Sequence, residues 1–151
     1  MAAPPFAELI AATKYSFLRG ASPPFEMVLH AKFLGLTGIG IADRNTVAGV
    51  VRAYIAWREI GGEESGLRLV VGARLVFADG TPDVVAYPMT RYGWGRLTRL
   101  LTLGNRRAEK GDCILHLPDL LDHAEDLLLI VTGQDEAVLR QLAQARPGAV
   151  W

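Results

Sequence analysis

Short apolar runs of strand length alternate along this chain with longer segments whose apolar residues recur at helical spacing. That alternation leaves few architectures open. A strand that reaches the next through a crossover helix builds an α/β fold with a mostly parallel sheet or barrel. The expected strands are 6–13, 38–42, 67–77, 84–87 and 127–131, the third interrupted by Gly72. Ser22-Pro23-Pro24 offers a helix start, because a proline in the first turn removes only an N–H that lacks a partner anyway. The helix that follows is expected to run to about Gly35, with Phe25, Val28, Leu29 and Phe33 on one face. Further helices are expected over 46–60, with Val47, Val50, Val51, Tyr54 and Trp57 at helical spacing, and over 93–103, 118–124 and 135–143. Residues 104–112 read as a charged connection.

The 151 residues are 50% hydrophobic and 21% charged, which suits one domain able to bury a core. Sixteen basic and sixteen acidic residues cancel, so the chain as a whole is not an electrostatic nucleic-acid binder. A single cysteine, Cys113, excludes an internal disulfide and a cysteine-based zinc site. The longest apolar run, 127–131, is far too short to span a bilayer, and Met1-Ala-Ala-Pro-Pro5 lacks a charged region followed by an apolar one. A cytoplasmic location without a membrane partner is therefore expected. Pro147-Gly-Ala-Val-Trp151 ends abruptly, as a piece of a longer polypeptide would.

In α/β sheets and barrels, ligands bind where strands end and the following loops converge. Three such ends are legible: 12–14, 43–45 and 72–74. Asp43 suits either a site there or a cap on the next helix. His30 follows Glu26 by four residues, the spacing of a surface pair. His116 and His123 are separated by Pro118, which argues against one metal-binding helix face. No phosphate-binding glycine loop is present. The densest basic run is Arg91, Arg96, Arg99, Arg106, Arg107 and Lys110. It reads either as a solvated face balanced by Glu109 and Asp112, or as a patch that meets a DNA backbone or a neighbouring domain.

Three segments carry more than patterning: Tyr15-Ser-Phe-Leu-Arg-Gly-Ala-Ser22, Ile41-Ala-Asp-Arg-Asn-Thr-Val-Ala-Gly49 and Val70-Val-Gly-Ala-Arg-Leu75. Together they resemble the first three signature blocks of the PHP (polymerase and histidinol phosphatase) family. More narrowly, they resemble the error-prone branch of the C-family DNA polymerases, paralogues of the polymerase III alpha subunit. The run Arg96 to Gly111 is similar to that branch too. The resemblance implies a PHP-type distorted (β/α) barrel, of which residues 1–151 are an N-terminal portion of about five strands, ending before the barrel closes and before any polymerase domain.

The resemblance also locates the family's metal ligands, by aligning the His-x-His-Ser, Thr-Asp-His and Gly-Cys-Glu patterns. The paired histidines of the first block fall on Ile10 and Ala12, the following serine on Thr13, and the aspartate on Arg19. The second-block histidine falls on Arg44, with the preceding acid kept as Asp43, and the third-block glutamate falls on Arg74. Pro24 stands where this branch often has a histidine. Alkyl groups have no lone pair to offer, and a guanidinium stays protonated and repels a cation. The expectation is thus a metal-free, cofactor-free, non-catalytic domain, with Arg44 and Arg74 turned towards Asp43 in an ion-pair cluster. Its expected partners are the remaining domains of a polymerase, DNA through that parent protein, and other copies of the truncated chain by self-association. The alternatives are a metal-dependent phosphoesterase or proofreading exonuclease, and a phosphate-binding module held by Arg44 and Arg74.

Overall fold

In a computed structural model, residues 4–151 are described. Met1 to Ala3, on which part of the leader reading rests, lie outside them. Strands β1 (Ala7–Ala11), β2 (Gly38–Arg44), β3 (Arg68–Leu75), β4 (Val84–Pro88) and β5 (Leu127–Val131) are hydrogen-bonded in chain order. The helices are α1 (Pro24–Phe33), α2 (Val50–Glu59), α3 (Arg91–Arg107), α4 (Leu117–His123) and α5 (Glu136–Ala145). A 3₁₀ turn, Gly62–Ser65, was not foreseen. The α/β class and the five strands are as the sequence led one to expect. The strand directions are not: β4 runs antiparallel to both β3 and β5.

 The reason lies in the connections: β3 reaches β4 through a short turn at Asp79-Gly80, not a crossover helix, and a short connection can only reverse the chain.

The chain divides into two compact units, one ending at Gly72 and one running from Ala73 to Trp151. In the first, β1 and β2 pair in parallel through α1, with a bulge between Glu8 and Ala11. The proline start of α1 is as expected, and the helix stops before Gly35, whose φ of 72° suits glycine. Its buried residues are not the expected apolar stripe. Val28 and Ala31 face inward, while Phe25, Leu29 and Phe33 are exposed. In α2, Val50, Ala53 and Ala56 are buried, while Val51 and Tyr54 are exposed. Small side chains let these helices lie close to Ile39 and Ile41 of β2, and the larger apolar groups are left outside.

In the second unit, Val84, Val85, Ala86, Leu97, Leu100, Leu115, Leu120, Leu127, Leu129 and Leu142 have no exposed surface. Helix α3 is capped by Thr90, whose hydroxyl accepts from Gly93 N at 3.1 Å, and α5 by Asp135, which accepts from Val138 N at 3.0 Å. Helix α3 continues to Arg107, into the first part of the segment expected to be a connection, and residues 108–112 are not helical. Gly104 does not stop it, because a β-carbon there would lie 2.5 Å from Cys113 Sγ: the glycine is a contact point. Residues 149–151 lie beside β5, where Trp151 N donates to Leu129 O and Val131 N donates to Trp151 O, both at 2.9 Å.

Candidate functional site

The ends of β1 and β2 meet at Asp43, which is 1% exposed. Thr13 donates to it twice, from its N–H to Oδ1 at 2.7 Å and from its hydroxyl to Oδ2 at 2.8 Å. Ser16 donates from its hydroxyl to Oδ1 at 2.6 Å and accepts from Arg44 N at 3.0 Å. Thr13 and Ser16 are themselves buried. The carboxylate thus fastens the β1–α1 loop to the end of β2. A buried carboxylate requires such compensation, and hydroxyl and amide donors supply it.

The loop is tightly wound behind this clamp. Ser16 N donates to Thr13 O at 2.9 Å, and Arg19 N and Gly20 N donate to Ser16 O at 2.8 and 3.0 Å. Gly20 is required there, since a β-carbon would collide with the Thr13 carbonyl. At the tip, Phe17 and Leu18 are 81% and 90% exposed, and Leu18 has a φ of 61°. That conformation costs a leucine about 1–2 kcal/mol.

The expected ion-pair cluster is not what forms. Asp43 takes its partners from Thr13 and Ser16, while Arg44 is exposed and contributes only its backbone N–H. Arg74 instead pairs with Asp83, Nε to Oδ2 at 2.7 Å. Nor is Asp43 a helix cap: α2 starts at Gly49 without a side-chain cap. Ser16 was missed by sequence reasoning, although Thr13 and Ser16, three apart after a strand, have the spacing of a hydroxyl-bonded turn.

The donor set does not fit a divalent metal. Ile10 and Ala12 offer no lone pair, Arg19 and Arg44 are exposed cations, and both Asp43 oxygens already accept hydrogen bonds. Among the described residues, no three His, Cys, Asp or Glu side chains are gathered as a metal ion would require.

The basic run divides. Arg96 donates to the Asp122 carbonyl, and Arg107 forms a fork on Asp119 at 2.5 and 2.9 Å. Asp119, rather than the expected Glu109 or Asp112, is therefore the balancing acid. The Arg107 fork, aided by the His116 N–H, holds the Asp119 carboxyl below its usual range. Arg99 and Arg106 line a cleft of about 600 Å³ with Thr102, Leu103, Arg107 and His123. Lys110 is exposed and is not among the lining residues.

A sequence profile of the PHP domain matches residues 9–147. The error-prone DNA polymerase 1 of Rhizobium meliloti is 60% identical over 126 residues, covering 83% of this chain and 11% of that protein. The error-prone DNA polymerase of Brucella abortus is 52% identical over 154 residues, covering 97% and 14%. This chain thus spans about a seventh or less of the curated relatives it matches. Among solved structures, a Bifidobacterium adolescentis protein assigned as a metal-dependent phosphoesterase superposes with a TM-score of 0.64 at 14% identity, covering 97% of this chain and 77% of that one. At that identity the likeness is one of fold.

Proposed function

The chain belongs to the PHP domain family, and we propose that it is a metal-free, non-catalytic member acting as a structural domain of an error-prone DNA polymerase. On this reading the parent protein carries out template-directed DNA synthesis, including synthesis across lesions, with chemistry supplied by other domains. The observation that carries it is Asp43: the acid kept at the strand ends holds a loop through three hydrogen bonds and is not open to a cation. Water activation by clustered metals needs several such ligands with an open position.

Two measurements test the reading. After exposure to zinc, manganese or magnesium and dialysis, elemental analysis should find no stoichiometric metal, and hydrolysis of a nitrophenyl phosphate ester should stay at the buffer rate. Retained metal, together with hydrolysis that is lost in a folded Asp43→Asn variant, would overturn it. Separately, this chain grafted in place of the corresponding segment of a full-length relative should preserve primer extension. A soluble graft without extension counts against the structural role.

A further inference from the structure

We propose that the cleft along α3 binds the phosphodiester backbone of a nucleic-acid strand, through Arg99 and Arg106. This goes beyond a structural role and does not depend on whether the domain lacks metal. Three observations carry it. First, Arg99 and Arg106 stand seven residues apart on one helix, hence on one face and about 10 Å apart along its axis. That separation suits two phosphates of one strand better than a single anion held in one fork.

Second, the lining contains no acid: it consists of Arg99, Thr102, Leu103, Arg106, Arg107 and His123. Asp119, the acid paired with the lining Arg107, is already bound by that fork and by His116 N at 2.9 Å. Arg99 and Arg106 make no ion pair among the described residues, so their charge faces the cleft uncompensated. Phosphate contacts require cations at a suitable spacing and little else.

Third, His123 is oriented. Its Nδ1 lies 2.8 Å from the Asp119 carbonyl oxygen, which can only accept, so Nδ1 carries a proton, and it is in the imidazolium form that Nε2 also donates and can meet a phosphate oxygen.

The test is fluorescence anisotropy of a labelled oligothymidine with the full chain over a salt series. Binding is expected between about 1 and 100 µM at low salt. Arg99→Ala with Arg106→Ala should weaken it at least about tenfold and make the salt slope shallower by about 1.4, at about 0.7 per phosphate on a single strand. Arg140→Ala, outside the cleft and paired with Glu136, should change neither. An unchanged affinity and slope in the double variant, with native circular dichroism, overturns the proposal. So does an absence of oligonucleotide binding. Titration with inorganic phosphate separates the sources: phosphate bound through these arginines without any oligonucleotide binding makes the cleft a small-anion site and sinks the strand reading.

Discussion

Asp43 is buried among donors, so its removal strands groups that cannot reach water. Asp43→Asn places an amide N–H₂ against hydroxyl and backbone donors and should destabilise the chain by about 1–3 kcal/mol, read from the urea midpoint. Asp119 gives a pH-dependent counterpart. Because its folded pKa is lowered, its stabilising effect is present above the unfolded value of about 3.9 and is lost as pH falls through the folded one. Asp119→Asn should therefore be less stable than the parent at pH 7, the two converging below about pH 4 in pH-dependent thermal melts. At this scale the sequence revealed which residues could not bind metal, because that follows from side-chain chemistry alone. It did not reveal what Asp43 does instead. Nearest charges in sequence suggested Arg44, while the actual partners are hydroxyls across a loop, and Arg74 found Asp83 over a short hairpin.

Helix α3 carries two glycines that should answer the same substitution with opposite signs. At Gly95 a β-carbon would meet nothing within 4 Å, so Gly95→Ala should stabilise by roughly 0.5–1 kcal/mol through helix propensity. At Gly104 it would lie 2.5 Å from Cys113 Sγ and 2.7 Å from Leu115 Cδ2, the latter residue fully buried. Gly104→Ala should therefore destabilise by roughly 1–2 kcal/mol, overpacking outweighing propensity. Calorimetric midpoints of both variants check this. The contrast also explains what could be read of the elements. Strands and helices were legible where apolar periodicity marks them, as in β2 and β5. The last turn of α3 was not, because a glycine that makes room for another segment looks, in sequence, like one that ends a helix. The inward face of α1 was not the whole apolar stripe for a related reason, and α2 follows it: small residues such as Ala31, Ala53 and Ala56 are buried while larger apolar groups stay outside.

Over the whole chain, apolar surface remains uncovered in the first unit. Among the described residues, β1 is an edge of the sheet, with Leu9 on it and Phe6 just before it 44% and 59% exposed, and apolar side chains at a sheet edge invite association. Sedimentation velocity should show association that rises with concentration and is reduced by Leu9→Lys. A monomer at every concentration would remove the idea. The Asp43 clamp has a consequence of another kind, in time. The Thr13 N–H is bonded to the clamp itself, and those of Ser16, Arg19 and Gly20 within the loop it fastens. They should exchange with deuterium as one set, at the rate at which the clamp opens. In Asp43→Asn that set should accelerate together, while the amides of Val131 and Trp151 beside β5 keep their own pace.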